Sequence, residues 1–396
     1  MDLASLAAVT GARTRSRTTR RAIATVGSLC ATALAAPGVT AAAPSADAAA
    51  QPRAGVVMEI VREARRELGL KAVIVSVRTG RREVVTRALG RSAVGMAATR
   101  RMHFRNGNVA IAYLTTIMLQ LRDEGRLDID APIARWLPDL PNAGQVTPRM
   151  LASSTSGYSD YVRRDEFGAR FDANPFRRWN GDWLIRLGSS RIEFPPGTDF
   201  DYSHTGFAIL GRVLARASGR PVRRLIRERI LRPLRLRQTR SSELPAIPRP
   251  VLHAYTSERG VYEESTYWSG NWGTARGANM TSDIRDVATS AAAIGSGRLL
   301  SRRSHRAQLA PATAGLGPLN RRVYYGMGMP IMGGWIVLNP SLAGFQVMAV
   351  NLPSRRLTIA AVSTKTPRAG EGNPSEELVR RIARRLAPDR PIPTRP

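Results

Sequence analysis

One short run in the sequence brings together side chains suited to proton transfer. Tyr202, Ser203 and His204 follow one another, and a tyrosine beside a histidine at a pocket mouth can do acid–base work. The alternative is a packed, hydrogen-bonded tyrosine next to a half-exposed histidine. The four histidines of the chain are scattered without metal-ligand spacing, so we predict no metal or other cofactor.

Four stretches around this run occur in a characteristic order. They are F-R-N-G-N-V-A-I (104–111), E-G-R-L-D-I-D-A-P (124–132), L-A-S-S-T-S-G (151–157) and F-P-P-G-T-D-F-D-Y-S-H-T-G-F-A-I-L-G (194–211). They resemble the class C β-lactamase and D-alanyl-D-alanine carboxypeptidase family. Its members tend to read F-R-x-G-S-x-x-K, E-G-K-L-x-L-D-D-P, L-L-S-H-T-S-G and F-x-P-G-x-x-F-x-Y-S-N-x-G-Y-x-L-L-G. The resemblance extends over residues 56–387 and implies the fold of the penicillin-recognising serine hydrolases.

The resemblance also shows which catalytic groups are missing. Members of the family acylate a serine at the start of a buried helix, and a lysine one turn later helps to remove its proton. Asn108 stands at the serine position and Ile111 at the lysine position. An amide is not a usable acyl acceptor, and isoleucine cannot move a proton. A shifted motif is excluded because neither Lys71 nor Lys365 has a serine three residues before it. Asn108 can serve as a helix N-cap or contact a ligand.

The remaining family motifs are altered. Tyr202 keeps the tyrosine of the Y-x-N motif, but His204 replaces its substrate-contacting asparagine. Leu-Asn-Pro at 338–340 stands where the family has K-T-G or H-x-G, and its proline cannot donate a backbone N–H. Ser154 replaces the histidine of H-T-S-G, where we expect a structural turn. We do not expect hydrolysis by the family mechanism, because losing any one of a set of cooperating residues costs orders of magnitude in rate.

Hydrophobic periodicity predicts the elements that must position these residues. Strands are expected at 72–77, 83–89, 334–338, 345–351 and 357–363, and helices at 56–69, 207–217, 283–294 and 376–386. The segment 107–124 is apolar nearly all round, which is typical of a buried central helix, and Gly125 should end it. The predicted fold is α/β (α+β), with an antiparallel sheet built from both termini, flanked by helices, and an inserted, mostly helical lobe.

These elements predict a domain organisation and a cleft. Residues 1–50 are interpreted as export signal and linker, with the linker running to about Pro52, residues 51–390 as one β-lactamase-like domain and residues 391–396 as a tail. Within the domain we predict a sheet lobe at about 55–106 and 320–388 and a helical lobe at about 107–319. The cleft between the lobes is expected to be lined by Asn108, Ile111, Tyr202, His204 and Asn339.

The N-terminus has the pattern of an export signal. A basic segment with five arginines at 13–21 precedes an apolar, small-residue segment at 22–36, and A-x-A cleavage sites end at Ala43 and Ala48. The only cysteine, Cys30, lies in this region. Cleavage near Ala43 or Ala48 would therefore leave a secreted, periplasmic or cell-surface protein without thiol or disulfide chemistry.

The charge balance indicates which partners to expect. The chain has 60 basic and 30 acidic residues, a formal net charge of +30, and the basic residues are nearly all arginine. Such a charge favours an anionic cell-surface polymer or lipid, although a codon bias towards arginine gives the same composition. The sequence contains no nucleic-acid-binding module, so we predict no nucleic-acid partner.

Our interpretation is an exported, catalytically degenerate relative of these hydrolases that binds a peptidoglycan-like peptide, another small ligand or a protein partner. Two alternatives remain open. One is a hydrolase with relocated catalytic residues, such as Ser203 with Tyr202 and His204. The other is a cationic cell-surface binding protein.

Overall fold

The structure is a computed structural model that describes residues 50–107, 109–370 and 372–394. The predicted export signal and Cys30 lie outside the described residues, as does Asn108.

The strands are β1 (Leu70–Thr79), β2 (Arg82–Ala93), β3 (Met96–Ala97), β4 (Phe104–Arg105), β5 (Arg240–Ser241), β6 (Tyr255–Thr256), β7 (Glu263–Glu264), β8 (Met280–Ser282), β9 (Val323–Tyr325), β10 (Pro330–Met332), β11 (Trp335–Leu338), β12 (Ser341–Leu342), β13 (Phe345–Leu352) and β14 (Leu357–Lys365). The α-helices are α1 (Ala50–Glu67), α2 (Val109–Asp123), α3 (Pro148–Ser153), α4 (Asp165–Ala173), α5 (Gly181–Ser189), α6 (His204–Ser218), α7 (Val222–Ile226), α8 (Arg232–Leu234), α9 (Ile284–Gly295), α10 (Arg302–Gln308) and α11 (Pro374–Leu386).

Both ends of the domain contribute to one antiparallel sheet, as the sequence predicts. Its strand order is β3-β2-β1-β14-β13-β11-β10-β9, and β12 pairs with β13. N-terminal β1 therefore lies beside C-terminal β14, with Val75 opposite Ala361. The segment between β3 and β9 contains most of the helices and two small sheets, β4-β8-β5 and β6-β7.

The sheet is buried on both faces, and alternating side chains along each strand belong to two separate cores. In β14, Ile359 and Ala361 pack with α1 and α11, whereas Ala360 and Val362 face the helical lobe. A strand places successive side chains on opposite faces, so apolar residues at every position are what a strand covered on both sides requires. This double burial explains why the strand signals appear in the sequence as continuous apolar runs.

The central helix and its end agree with the sequence. α2 is buried along nearly its whole length, and Gly125 follows it with a φ of +68°, the left-handed conformation that favours glycine after a helix. The linker prediction for residues 51–52 is wrong, because α1 already begins at Ala50. Pro52 is compatible with that start because proline is tolerated in the first turn of a helix.

One buried carboxylate joins α9 to the chain that leads into β5. Asp286 accepts hydrogen bonds from the backbone N–H of Gln238 (2.8 Å) and from the hydroxyl of Thr239 (2.9 Å). Burial, followed by the nearby charge of Asp283, raises the pKa of Asp286 from 3.8 to about 6. The folded protein therefore binds a proton at Asp286 more tightly than the unfolded chain does.

This shift predicts a specific pH dependence of stability. Between pH 3.8 and about 6 the folded state holds more protons at Asp286 than the unfolded state does, so deprotonation penalises folding. We expect this carboxylate to lower the free energy of unfolding by up to about 3 kcal/mol as pH rises through that window. Urea unfolding of the wild type and Asp286→Asn at pH 4, 5, 6 and 7 measures the effect. Parallel pH profiles for the two proteins would contradict the prediction.

Candidate functional site

A cavity of about 520 Å³ lies where the helical lobe meets the last strands and α11. The helical lobe contributes Asp160, Tyr202, His204 and Trp272, and the side of β11–β13 and α11 contributes mainly polar residues. The cavity is therefore in the predicted cleft between the two lobes. Among the described residues, no group of three or more His, Cys, Asp or Glu side chains is arranged to hold a metal ion.

A buried Asp–His pair forms the wall of the cavity in the helical lobe. His204 is the first residue of α6, and its Nδ1 lies 2.8 Å from Oδ2 of Asp160. The Asp160 carboxylate also accepts the backbone N–H of Val162 (3.1 Å), which caps the short 3₁₀ turn that follows. The carboxylate fixes the orientation of the imidazole, as in catalytic sites where an acid orients a histidine. His204 is 7% exposed, so the expectation of a half-exposed histidine is wrong.

Backbone hydrogen bonds position Asp160 by joining two of the motifs found in the sequence. The Gly197 N–H donates to Thr155 O (2.7 Å), and the Glu193 N–H donates to Gly157 O (2.8 Å). Ser154 has a φ of +56° and forms the C-cap of α3. The structural turn predicted at Ser154 is thus confirmed. The turn is not part of the cavity lining, and it positions the segment that leads to Asp160.

Aromatic rings surround the histidine. Tyr202 meets His204 edge-on, with ring centroids 5.1 Å apart, and Trp272 lies 6.0 Å from the same ring. Tyr161 donates its hydroxyl to the carbonyl of Trp272, and burial raises the pKa of Tyr161 well above its usual value, which keeps it a neutral donor. These packed rings exclude water from one side of the imidazole, and they strengthen its interaction with Asp160.

Ser203 is used by the backbone rather than by the cavity. Its Oγ accepts the Gly206 N–H and donates to Ser159 O, both at 3.4 Å, as the N-cap of α6. The side chain is 2% exposed and does not line the cavity. The geometry therefore gives no support to Ser203 as a relocated nucleophile.

The opposite wall consists of side-chain amides and one carboxylate. The Asn339 amide donates to Glu376 Oε1 (2.7 Å), and the Asn373 amide donates to Val347 O (2.8 Å). Ser341 donates its hydroxyl to Oε1 of Gln346 (2.7 Å). The amides and the hydroxyl can donate to and accept from a polar ligand, and the carboxylate can accept from it.

The cavity brings together some of the predicted site residues and excludes one of them. Tyr202, His204 and Asn339 line it, in agreement with the sequence-based cleft. The placement of Ile111 in the lining is wrong, because this side chain is 1% exposed and packs in the core around α2. A helix that is apolar on every side carries no sequence signal for which face meets a cleft. Asn108 lies outside the described residues.

The segments that carry the first and third family motifs, 104–111 and 338–340, lie in contact. Gly107 has a φ of +50°, and a Cβ added to it would lie 2.5 Å from Cβ of Pro340. The chain entering α2 is thus packed directly against the segment after β11, which contains Asn339 and Pro340. A proline ring fills this junction, so the strand end has no backbone N–H at that position.

Other residues of the candidate site carry no recognisable motif. Asp160 follows the recognised Ser-Gly-Tyr stretch by two positions, but its role depends on His204, 44 residues later. Gln346 and Glu376 were predicted only as parts of a strand and of the closing helix, and Asn373, the N-cap of α11, lay outside every predicted element. Their only sequence signal is that they are polar residues within or beside apolar runs.

Charged groups of both signs border the cavity. Arg163 binds the Asp201 carboxylate, yet burial still raises the pKa of Asp201 above its usual value. Lys365 donates from Nζ to Gly370 O (3.0 Å), and Glu258 and Glu376 add negative charge. A ligand with both amino and carboxylate groups would fit this mixed lining better than a purely anionic one.

A sheet completed by both termini, an inserted helical lobe and a cleft that retains the tyrosine motif define the fold of the penicillin-recognising serine hydrolases. The chain matches the family described as Beta-lactamase over residues 57–384. It therefore belongs to the β-lactamase family.

Known relatives agree with this assignment. Penicillin-binding protein 4 of Amycolatopsis lactamdurans is 32% identical over 180 residues, which cover 43% of this chain and 44% of that protein. The chain thus matches less than half the length of this curated relative. The structure of a D-stereospecific amidohydrolase from Streptomyces sp. superposes with a TM-score of 0.73 at 24% identity, covering 84% of this chain and 98% of that chain. D-amino acid amidase from Ochrobactrum anthropi SV3, complexed with L-phenylalanine amide, gives 0.73 at 20% identity, with 85% and 99% covered.

Proposed function

We propose that this chain is an exported protein that binds a peptidoglycan-like peptide in its cleft without becoming acylated. The observation that carries the proposal is Ile111, whose buried apolar side chain occupies the family's lysine position, although the cavity itself is retained. Without the lysine, and with Asn108 at the serine position, the site lacks both the acyl acceptor and its base.

The cavity lining supports a peptide-like ligand. Asn339, Gln346 and Asn373 present amide groups that match the donors and acceptors of peptide bonds. The names of the relatives, which include a penicillin-binding protein and an amidase complexed with an amino acid amide, point to the same ligand class.

Export is proposed from the N-terminal sequence, where a basic segment, an apolar segment and A-x-A sites follow one another. None of the helices in the described residues combines the length and the apolar character needed to cross a membrane. Assembled peptidoglycan lies outside the cytoplasmic membrane, so the proposed location and the proposed ligand are consistent with each other.

A second candidate function rests on the Asp160–His204 pair. With its Nδ1 held by Asp160 at 2.8 Å, His204 can use its other ring nitrogen to take a proton from water. The resulting hydroxide would attack an ester or amide carbonyl, and the proton would return to the leaving group. Such a hydrolase needs neither a serine nucleophile nor an acyl intermediate.

One experiment tests the proposed function. We expect intact mass spectrometry of the mature protein, incubated with a panel of β-lactams and with p-nitrophenyl acetate, to show no added mass. Calorimetry with a peptide ending in D-Ala-D-Ala should detect binding, and Asn339→Ala should weaken it about fivefold because one polar contact of about 1 kcal/mol is lost. Gln145→Ala, which removes an exposed amide outside the cavity, is the matched control.

The outcomes separate the two candidates. An acyl adduct would contradict the proposal, and peptide mapping would then identify the nucleophile. Ester turnover without an adduct, abolished by His204→Ala, would favour the water-activating hydrolase. Failure to bind the peptide would remove the proposed ligand class.

A further inference from the structure

A second concavity, of about 900 Å³, lies on the helical lobe away from the cleft. It is formed by α7, the π-helical turn Arg227–Leu231 that follows, α8 and the chain leading into β5. Arg235 takes a left-handed conformation with a φ of +56°, which turns the chain so that residues 236–241 run back past the helical segment. We call this surface the arginine groove.

Seven exposed arginines line the groove. Six of them have no ion pair among the described residues: Arg223, Arg227, Arg232, Arg235, Arg237 and Arg240. Exposed arginines without an ion pair also occur elsewhere among the described residues, as at Arg302 and Arg303 on α10. What distinguishes this surface is that six such arginines line a single concavity.

The acidic residues near the groove are already engaged. Glu228 binds Arg220 (2.8 Å) and Arg224 (2.9 Å), and it is the nearest carboxylate in sequence. Glu243 accepts the Gly277 N–H (2.6 Å), and Asp286 accepts from the Gln238 N–H and the Thr239 hydroxyl. Nothing in the lining offsets the six positive charges, and like charges held together in a concavity attract an anion.

The chemistry of the lining selects among anionic ligands. A guanidinium binds phosphate through two parallel hydrogen bonds, and several arginines along a groove suit repeated phosphates. The lining has no aromatic side chain on which a nucleobase could stack. It also offers little apolar surface to enter a bilayer, because Leu236 is buried, Leu231 is half-buried and Pro221 is the one exposed apolar residue of the lining.

We propose that the arginine groove binds a linear polyanion of repeating phosphate groups, recognised by charge and guanidinium geometry. The site is separate from the cleft and does not depend on the function proposed there. At a cell surface, such a polymer would anchor the protein through the groove and leave the cleft open to its ligand.

The test uses inorganic polyphosphate and the full mature protein at 0.15 M salt. The triple variant Arg227→Glu, Arg232→Glu and Arg237→Glu should weaken polyphosphate binding about 100-fold, because phosphate contacts dominate such affinities. The matched control is Arg302→Glu, Arg303→Glu and Arg306→Glu on α10, three exposed arginines with no ion pair among the described residues. This control makes the same change in net charge, and we expect it to alter binding less than about threefold, since it leaves the groove intact. Melting curves verify that both variants are folded.

Each possible result decides the proposal. Equal losses in the two triple variants would show attraction to net charge and overturn the groove as a site. Groove-dependent binding that is tighter to phosphatidylglycerol vesicles or to oligo-dT than to polyphosphate would overturn the assignment to a simple phosphate polymer. Groove-dependent binding that is tightest for polyphosphate and falls steeply with added salt would support it.

Discussion

Replacing Gly157 by alanine is expected to lower the free energy of unfolding by about 3 kcal/mol or more, from left-handed strain and overpacking together. Gly157 has a φ of +77°, and a Cβ at this position would lie 2.1 Å from the carbonyl oxygen of Phe194. That oxygen belongs to backbone, which cannot rotate away as a flexible side chain would. The chain segments around Gly157 and Phe194 would have to separate locally. This separation would strain the hydrogen bond that the Glu193 N–H donates to Gly157 O.

Gly168→Ala is the matched control for this prediction. Gly168 lies inside α4, has no positive φ and has no heavy atom within 4 Å of an added Cβ. Alanine should therefore stabilise the protein by about 0.5–1 kcal/mol through the better helix propensity. Urea unfolding of both variants measures the difference. A Gly157→Ala protein as stable as the wild type would show that the two motif segments are not held together by this contact.

Replacing Ile111 by lysine is expected to lower the free energy of unfolding by about 3–5 kcal/mol, because an ammonium group would be buried without a partner. Ile111 is 1% exposed and belongs to the main apolar core. The motif resemblance places the family's lysine at this position, where the sequence has isoleucine. The prediction therefore tests whether the core around α2 can hold an ammonium group here.

Ile111→Met is the control, since it stays apolar with similar volume and should cost less than about 1.5 kcal/mol. Denaturant unfolding at pH 7 and at pH 5 measures both variants. Protonating the lysine at low pH should destabilise Ile111→Lys further, because burial lowers the pKa of an amine. A lysine variant as stable as the methionine variant would mean that a polar pocket remains beside α2.

Much of the fold could be predicted from local patterns. Strands β13 and β14 are continuous apolar runs, and α11 is an amphipathic helix, so these elements can be recognised from nearby residues alone. Strands at both ends of a mostly helical middle then predicted one antiparallel sheet built from both termini, but the strand order within it came only from the structure. The start of α1 was missed, because an Ala-Gln-Pro segment has the composition of a linker as well as that of a first helical turn.

The candidate site was predicted only in part. Tyr202, His204 and Asn339 were found because they stand at positions of family motifs. Asp160 was not, because its importance comes from a contact with a residue 44 positions away. Ile111 was misplaced for the converse reason: its motif position indicated the cleft, but packing directs its side chain into the core.

Some properties follow from the order of residues alone. The chain has no S-x-x-K, carries a net charge of +30 and belongs by its motifs to the β-lactamase family, and no folding can change these facts. They depend on which groups are present. Whether those groups cooperate depends on distances between residues far apart in the chain. The Asp160–His204 pair, the amide wall around Asn339 and the grouping of six arginines beyond the reach of a carboxylate exist only after the chain has turned at Ser154, Gly157 and Arg235.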